Sequence, residues 1–402
     1  MYSQDSDENE KRKALALERS STPREYYARL RSVGATDGNE KPGAVQLVCR
    51  RDIEEALRTP ELFSSVLVDT DIMGSVEPII PLNVDPPEHV RYRRLLDPLF
   101  APKHMAALQP AVLGHTNVLI DSFIDRGSCD FSAELAVPLP CSTFLTLLGL
   151  PVDELPALVR WKDIMIRAET LVDNPDDAKQ LQFDTAKDIY ARFGAEMADR
   201  RTKPREDLIT FLTTAEIEGS KLSDSEILRI CFLLLAAGLD TVTISLQCIF
   251  AYLLEHPEAR QMLIEKPGSE NLLIEELLRW ETPVQQLTRF PTRDIEIGGC
   301  PIRKGQEVQL ALSSANVDPD GVPGADQVDV TRNDIRSLAF GGGPHRCLGS
   351  NLARMELRTV IRAWHDRIPE YAVAPGVTLQ WNGSTLRGVD HMPLVFPAGG
   401  RA

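Results

Sequence analysis

Apolar residues recur at helical spacing through much of the second half of the chain. The capping box Ser223-Asp224-Ser225-Glu226 predicts the start of a helix that can run to His256-Pro257. The centre of this segment is almost entirely apolar, so we expect a core helix on the order of 45–50 Å long. A second helix is predicted from Asn271 to Trp280, and Thr282-Pro283 ends it.

A smaller β region follows the second helix. Ile295 and Ile297 alternate with polar residues, Gly298-Gly299 marks a turn, and alternation returns at Val308 and Leu310. Short strand-like pieces also occur in the tail, between residues 377 and 396. The pattern therefore predicts a mainly α fold with a smaller β region, in the α+β class.

No linker, repeat or shift in composition divides the chain. We therefore predict one domain covering residues 1–402, with the polar segment 1–20 flexible. Two stretches, residues 64–87 and 168–177, are predicted to be irregular loops.

Composition narrows the class of protein. The chain is 43% hydrophobic, enough for a large core, and its net charge of −15 argues against a general nucleic-acid binder. The longest continuous apolar run, Cys231 to Leu239, is too short to span a bilayer, and the first twenty residues contain no hydrophobic signal. The seven cysteines are scattered without a C-x-x-C pair, which favours a reducing cytoplasmic setting and argues against structural zinc or iron–sulfur clusters.

One cysteine lies in an unusual context. Cys347 follows the glycine-rich stretch 340–346, and Leu348 and Leu352 then begin a helical pattern. Unpaired N–H groups at a helix start lower the pKa of a cysteine and stabilise its thiolate. Such a thiolate can be a nucleophile or a metal ligand, and this stretch alone leaves both open.

Polar residues interrupt the long apolar helix at Ala237-Gly238-Leu239-Asp240-Thr241. A mid-helix glycine costs about 1 kcal/mol, and a buried aspartate costs more unless it is paired. Thr241 can bond back to the carbonyl one turn earlier and, with Gly238, open the helix locally. Such costs in a core helix usually indicate function, with a structural kink and an internal Asp–Thr pair as the alternative.

Two further patterns are weak by themselves. Glu276 and Arg279 have the i,i+3 spacing of an ordinary ion pair on a solvated face. After Pro86-Pro87, His89 and Arg93 lie on one face of a predicted helix, where a solvated basic face is the simplest interpretation.

Together these segments resemble the cytochrome P-450 family, in its bacterial-type soluble form. The family's loop F-x-x-G-x-x-x-C-x-G is matched by Phe340, Gly343, Cys347 and Gly349, and its A-G-x-[DE]-T helix motif by residues 237–241. The resemblance covers the chain from about residue 85 to the end. It implies haem b, with the Cys347 thiolate as the iron ligand, between the long central helix and the helix after the cysteine loop.

The resemblance also implies residue roles. Asp240 and Thr241 would supply protons to dioxygen at the haem. The residues that would bind the cofactor are His89, Arg93, Arg289, His345, Cys347 and Gly349. Behind the haem, Glu276, Arg279 and Arg332 would form a structural ion-pair group. The family's A-N-R-D-P segment departs here at Val317, and the histidine often found before the loop is Ser337.

The implied reaction inserts one atom of dioxygen into a C–H bond of a hydrophobic small molecule, such as a terpenoid, steroid, fatty acyl chain or aromatic. Electrons would come from a separate ferredoxin and ferredoxin reductase with NAD(P)H as donor, because the chain has neither a Rossmann fingerprint nor an iron–sulfur cysteine set. A basic patch of Arg94, Arg346, Arg354 and Arg358 is a candidate docking surface. We expect a monomer without membrane anchor or nucleic-acid partner. The predicted substrate-pocket residues are Leu234, Ala237, Gly238, Val284, Gln285, Gln286 and Leu287, with parts of 64–80 and 164–173 closing over them.

Three alternatives remain at this point. A peroxide-driven haem-thiolate enzyme would need no acid–alcohol pair, so Asp240 and Thr241 count against it. A haem-based sensor would bind gas without turnover. A cysteine hydrolase would need a general base near Cys347, for which His345 is the neighbour in sequence.

Overall fold

The computed structural model describes residues 15, 17–34, 36–37, 43–66, 77–332, 334–382 and 385–400. Helices dominate this part of the chain, as the apolar spacing predicts. The α-helices within it are α1 (Pro23–Val33), α2 (Arg50–Arg58), α3 (Glu88–Leu96), α4 (Pro102–Asp121), α5 (Pro138–Leu148), α6 (Leu155–Leu171), α7 (Pro175–Thr202), α8 (Leu208–Thr214), α9 (Asp224–Glu255), α10 (Pro257–Glu265), α11 (Glu270–Glu281), α12 (Leu312–Asn316) and α13 (Ser350–Arg367).

Short strands lie beside the helices. They are β1 (Thr36–Asp37), β2 (Val45–Leu47), β3 (Phe63–Ser64), β4 (Ser128–Asp130), β5 (Glu216–Ile217), β6 (Ser220–Lys221), β7 (Leu287–Pro291), β8 (Ile295–Ile297), β9 (Cys300–Ile302), β10 (Val308–Leu310), β11 (Ala372–Val373) and β12 (Pro393–Val395). They form a five-stranded sheet in the order β1-β2-β10-β7-β3, a three-stranded sheet in the order β11-β12-β4, and the hairpins β5–β6 and β8–β9. The α+β class is therefore as predicted.

The long helix α9 forms the centre of the molecule. The Ser223 hydroxyl accepts from the Glu226 N–H, and the Glu226 carboxylate accepts from the Ser223 N–H at 2.7 Å, which completes the predicted capping box. By length and composition alone α9 could cross a membrane, and no other helix in the described residues could. However, 61% of its most apolar window is buried inside the protein, as in the core helix of a soluble protein.

The five-stranded sheet holds part of the predicted cofactor site. In β10, Val308 lies opposite Val45 of the parallel strand β2 and opposite Arg289 of the antiparallel strand β7. Strand β7 follows α11 after a short connection, so the sheet places Leu287 and Arg289 beside the helical core.

The predicted loop at residues 168–177 is wrong. Helix α6 continues to Leu171 and α7 begins at Pro175, which leaves only 172–174 outside a helix. Proline suits the first helical turn, and the Asn174 side chain caps α7 by accepting from the Asp176 N–H at 2.9 Å. The Asn-Pro pair therefore begins a helix here instead of extending a loop.

The predictions for residues 64–87, for the tail and for the first twenty residues have different outcomes. Within 64–87, residues 67–76 lie outside the described part, and 77–87 contain turns without helix or strand. In the described part of 377–396, only β12 is a strand, with isolated bridges at Leu386 and between Asn382 and Gly388. Residues 17–21 are helical with Arg19 and Ser20 buried, and the flexibility expected for residues 1–20 stays a prediction.

A buried ion-pair triad joins α11 to the segment that leads to the cysteine loop. Arg279 donates from Nη2 to Glu276 Oε1 at 2.6 Å and from Nε to Oε2 at 2.9 Å, and both side chains are fully buried. Arg332 Nε lies 3.3 Å from Glu276 Oε2. The pair is thus in the core and not on a solvated face.

Backbone carbonyls complete the triad. Arg279 also donates to the carbonyls of Asn316, Ala325 and Gln327 at 2.8–3.0 Å. Arg332 donates to the carbonyl of Pro323 at 2.6 Å and to that of Gly324. Because every donor bridges two segments, the triad fixes the path of residues 316–332 relative to α11.

Removing the Glu276 carboxylate should destabilise the protein strongly, because two guanidinium groups would lose their buried counter-ion. We expect Glu276→Ala to lower the free energy of unfolding by about 3–5 kcal/mol in urea titrations. The neighbouring Glu275→Ala is the matched control, since Glu275 forms a half-exposed pair with Arg354 and should cost less than about 1 kcal/mol. Equal losses in the two variants would contradict the structural role of the triad.

Candidate active site

The glycine-rich loop holds Cys347 in a fixed position. Gly343 has φ 63°, and a Cβ there would collide with the carbonyl of Leu57, so only glycine fits. The Cys347 N–H donates to the Phe340 carbonyl at 2.9 Å, which closes the loop, and α13 begins three residues later at Ser350. The Cys347 side chain consequently faces an internal cavity.

The predicted lowering of the Cys347 pKa is wrong. Cys347 is exposed to the cavity, but the protein atoms packed around the cavity desolvate its thiol and raise the pKa above its usual value. A hydrogen bond from the Gly349 backbone and the charges of Arg93, Arg346 and Arg354 act in the opposite direction, but they do not outweigh the loss of water. A metal ion at the sulfur would supply the missing stabilisation of the thiolate.

The cavity has a volume of about 280 Å³ and lies between α9 and the start of α13. On one side Leu234, Ala237, Gly238 and Thr241 of α9 form the wall. On the other side the wall contains Cys347 and Gly349, followed by Leu348, Leu352 and Ala353. A wall with one thiol opposite a bare helix turn suits a flat, largely apolar ligand.

The predicted substrate pocket is placed only in part. The cavity wall contains Leu234, Ala237, Gly238, Val284 and Leu287, but neither Gln285 nor Gln286.

Both glutamines are buried elsewhere. Gln285 Nε2 donates to the carbonyls of Glu281 and Thr282, and Gln286 Oε1 accepts from Gln46 Nε2 at 3.4 Å. Gln285 Oε1 has no hydrogen-bond partner within the described residues, so only the donor end of this amide is used there.

The four predicted carboxylate-binding residues come together at one edge of the cavity. The rings of His89 and His345 lie 4.1 Å apart, and Arg93 and Arg289 are close enough to lower the pKa of His345. Burial is the larger cause, and it lowers the pKa of His89 to about 4 and that of His345 to about 3. Both imidazoles are thus neutral at pH 7 and act as N–H donors.

Several polar atoms of this cluster lack a partner within the described residues. Both ring nitrogens of His89 and Nε2 of His345 accept or donate no hydrogen bond there. The nearest anion to His345 is Asp85, at 4.0 Å, and Asp85 is already bound by Ser64 and the Ser65 N–H. Buried unpaired donors are costly, so they indicate a ligand that accepts hydrogen bonds.

The two arginines of the cluster differ in the hydrogen bonds that they donate. Arg93 donates from Nε to Asp97 at 2.7 Å and from Nη1 to the carbonyl of Arg346 at 2.7 Å, and so braces the cysteine loop. Arg289 is buried and, within the described residues, donates to the carbonyl of its neighbour Thr288 at 2.7 Å; burial lowers its pKa to about 10. The orphaned imidazole nitrogens and the desolvated guanidinium fit the two carboxylates of haem.

The acid and alcohol of α9 have distinct environments. Thr241 Oγ1 donates to the Ala237 carbonyl at 3.1 Å, as predicted, and Thr241 lines the cavity. Helix α9 nevertheless continues through Gly238 without a break. Asp240 is buried outside the cavity lining, where Oδ1 accepts from Lys162 Nζ at 3.0 Å and Oδ2 lies 3.5 Å from Arg167 Nη2.

Two cations that hold Asp240 were missed in the sequence. Lys162 also lies 2.7 Å from the half-exposed Asp163, and Arg167 donates to Asp390 at 2.5 Å. Lys162 is 78 residues from Asp240, so no local spacing links them. A signal did exist, because Lys162 shares the buried face of α6 with Leu158 and Met165 at helical spacing.

A buried carboxyl was also missed. Glu356 lies in α13 among Leu352, Met355 and Thr359, and it lines the cavity. Its signal was likewise an acid on the apolar face of a helix.

The chain is similar to known proteins in sequence and in structure. The chain matches the family described as Cytochrome P450 over residues 164–266 and 271–363. A relative named Probable cytochrome P450 127A1, of Sinorhizobium fredii, is 35% identical over 348 residues, which cover 86% of this chain and 82% of the relative. The Vitamin D(3) 25-hydroxylase of Pseudonocardia autotrophica is 32% identical over 387 residues, covering 93% and 94% of the two chains.

Solved structures show the same likeness. The crystal structure of CYP109E1 from Bacillus megaterium in complex with testosterone superimposes with a TM-score of 0.84 at 26% sequence identity. The match covers 94% of this chain and 99% of that one.

Removing the Arg289 charge should weaken retention of a carboxylate-bearing ligand. A hydrogen bond to a charged group contributes about 1.5–3 kcal/mol, so we expect Arg289→Gln to release haem about 10- to 100-fold faster. Transfer of haem to an excess of apomyoglobin measures this rate. Arg293→Gln, in an exposed position near the end of the same strand, is the control and should release haem at the unaltered rate. Equal rates in all three proteins would show that Arg289 does not hold the ligand.

Proposed function

The chain belongs to the cytochrome P450 family of haem b monooxygenases, and on this basis we propose that it hydroxylates a neutral, hydrophobic small molecule with electrons from a separate ferredoxin and ferredoxin reductase. The observation that carries the proposal is the single cavity that has Cys347 in one wall and Thr241 in the other. Membership in this family sets aside the cysteine hydrolase and the sensor without turnover.

The cavity wall supports the substrate class. On the side of α9 the wall is formed by apolar side chains. The charged or ionisable groups lie elsewhere, at the carboxylate-binding edge and at Glu356 of α13. These apolar residues are Leu82, Leu233, Leu234, Val284, Leu287 and Leu312. A substrate with a net charge would find no counter-ion among them, whereas burial of a neutral ring system would gain roughly 25 cal/mol for each Å² of apolar surface.

Haem b, when bound, would supply the activation of dioxygen at its iron. The residues of the protein position the haem and the substrate, and they supply protons. Cys347 provides the thiolate ligand, and the Gly349 N–H tempers the charge of its sulfur. His89, Arg93, Arg289 and His345 would hold the carboxylates of the haem. Apolar side chains exclude water from the face where the substrate binds.

Protons reach this cavity through α9. Lys162 Nζ bridges the half-exposed Asp163 and the buried Asp240 Oδ1, which gives a continuous polar connection from solvent. Thr241 follows Asp240 in the chain and faces the cavity. Because the Thr241 hydroxyl proton is used on Ala237, its oxygen can accept a hydrogen bond from a water and so hold that water in the cavity as the proton donor.

Electrons must arrive from outside. Arg94 and Arg346 are exposed on the side of the cysteine loop and support docking of an acidic ferredoxin. Arg354 pairs with Glu275 and therefore contributes less positive charge than the sequence suggested, whereas Arg358 donates to the neutral Asn271 and keeps its charge. The seven cysteines are all free, which supports a cytoplasmic location.

A carbon monoxide difference spectrum tests the haem ligand. The reduced protein should show the red-shifted band of thiolate ligation, and Cys347→Ala should lose it. Cys300→Ala is the control, because Cys300 lies in the β8–β9 hairpin away from the cavity, and should keep the band. A band that survives Cys347→Ala would disprove the assignment.

Substrate class is tested by the spin-state shift caused when a ligand displaces the water on the iron. We expect testosterone to bind more tightly than its sulfate ester, and other neutral compounds to bind more tightly than their charged analogues. Hydroxylation with NADPH, ferredoxin and reductase then tests the reaction. Preferential binding of the charged partners, or product formation with hydrogen peroxide but not with NADPH, would overturn the proposal.

Removal of the α9 alcohol or acid should uncouple the reaction. We expect Thr241→Ala and Asp240→Asn to consume NADPH while yielding less product and more hydrogen peroxide, since general acid groups contribute roughly 10²-fold or more to such steps. Thr243→Ala is the control on the same helix, because Thr243 bonds to the Leu239 carbonyl but does not line the cavity. A product-to-NADPH ratio unchanged in Thr241→Ala would contradict the role of the alcohol.

A further inference from the structure

A short strip of chain in the cavity wall lies outside every helix and sheet. Residues 283–286, here called the wall strip, connect the end of α11 to the start of β7, and Pro283 and Val284 line the cavity. Neither a helix nor a sheet ladder fixes the wall strip in place. Its position in the wall therefore depends on the side chains and the backbone that contact it.

The backbone partner of the wall strip is the segment 385–387, near the end of the chain. The Arg387 N–H donates to the Pro283 carbonyl at 3.0 Å, and the Gln285 N–H donates to the first carbonyl of that segment at 2.8 Å. An isolated antiparallel bridge between the two segments completes the pairing. A two-stranded ribbon of this kind is marginally stable by itself, so the position of the pair depends on what holds it from outside.

Glu281, the last residue of α11, joins this pair of segments to the N-terminal part of the chain. Its carboxylate accepts from Arg387 Nη1 at 2.5 Å and from Arg24 Nη2 of α1 at 2.9 Å. Arg387 also donates from Nε to the Ser20 carbonyl at 2.6 Å. Arg387 thus binds the wall strip through its backbone and the N-terminal residues through its side chain.

Stacking on tryptophan rings restricts both guanidinium groups. Arg24 Cζ lies 3.7 Å from the ring centre of Trp280, and Arg387 Cζ lies 3.7 Å from that of Trp381. A planar guanidinium that stacks on a ring and also pairs with a carboxylate is held in one orientation. The cluster of Arg24, Glu281 and Arg387 is called the N-terminal clamp below.

We propose that the N-terminal clamp sets the position of Pro283 and Val284 in the cavity wall, and thereby the affinity for the apolar part of the substrate. This inference rests on the proposed function, because it assigns a role in binding that substrate. Arg24 is a positioning residue in this scheme, since it does not line the cavity and acts through Glu281 and the wall strip.

Arg24 is the member of the clamp whose removal should disturb the fold least. Its side chain is 33% exposed, and Glu281 would keep Arg387 as a buried counter-ion. Beyond the wall strip, the sheet holds β7 independently, with Leu287 opposite Leu310 of β10. Loss of Arg24 should therefore loosen the wall strip while the haem-binding residues stay in place.

Two azoles that bind haem iron measure the wall separately from the iron. Imidazole occupies the iron position, whereas 4-phenylimidazole adds a phenyl ring that needs the apolar wall. Titration of the haem absorption shift gives both dissociation constants, and the wild-type protein should bind 4-phenylimidazole more tightly. In Arg24→Gln this preference should fall about 3- to 10-fold while the affinity for imidazole is unchanged. Arg24→Lys, which keeps the charge beside Glu281, should recover part of the preference.

Arg29→Gln is the matched control, because Arg29 lies on the exposed face of α1 and pairs with Glu18. It should keep the wild-type preference. The proposal is wrong if the wild-type protein binds both azoles equally well, or if Arg24→Gln keeps the wild-type preference. It is also wrong if Arg24→Gln and Arg29→Gln lower the preference by the same factor.

The carbon monoxide band separates a failure of this inference from a failure of the proposed function. A wild-type protein without the band of thiolate ligation would count against the proposed function. A normal band in Arg24→Gln together with an unchanged azole preference would count against the N-terminal clamp alone. A normal band with a reduced preference supports the clamp, since general unfolding would weaken the binding of both azoles.

Discussion

Burial of ionisable side chains is the constraint on which the site depends, because each buried charge must be paired, neutralised or left for a ligand. Glu276 is paired with two arginines and accepts a hydrogen bond from the Asp329 N–H. Asp240 is held by a lysine and an arginine from α6. Glu356 has no such cation beside it within the described residues, and burial raises its pKa to about 8. The imidazoles of His89 and His345 keep unpaired nitrogens, which only a ligand can use.

The buried ion pairs hold the segments that form the walls of one cavity. The triad at Glu276 fixes the segment before the cysteine loop, and Gly343 lets that loop pass against Leu57. The loop then presents Cys347 to α9 across the cavity. On the far side, α6 contacts α9 through the ion pairs of Asp240, so the position of α6 and the acid of α9 are coupled.

The sequence predicted well what is encoded locally. The capping box, the apolar run of α9, the glycines before Cys347 and the alternation at 295–297 each depend on neighbours within a few residues, and the corresponding elements are present. It predicted poorly what packing decides. The partners of Asp240 come from another helix, and the side chains of Gln285 and Gln286 turn toward backbone and Gln46 for reasons that only the tertiary contacts contain. The direction of the Cys347 pKa shift failed for the same reason, since burial depends on the whole fold.

The unsatisfied groups around the cavity connect cofactor binding with stability. Buried polar groups without partners raise the free energy of the protein by about 1–3 kcal/mol each, and three imidazole nitrogens at the cavity edge, donors and acceptors together, lack a partner within the described residues, beside a desolvated Arg289. A ligand that binds only the folded chain and satisfies these donors stabilises the fold in proportion to its affinity. His89, Arg289 and His345 would hold the carboxylates of haem at one edge, and Cys347, which is exposed to the cavity, would be the ligand of its iron. The protein therefore lacks hydrogen-bond and charge partners at the two places where a haem carries charge. Along the apolar faces of a haem it leaves few polar groups without a partner.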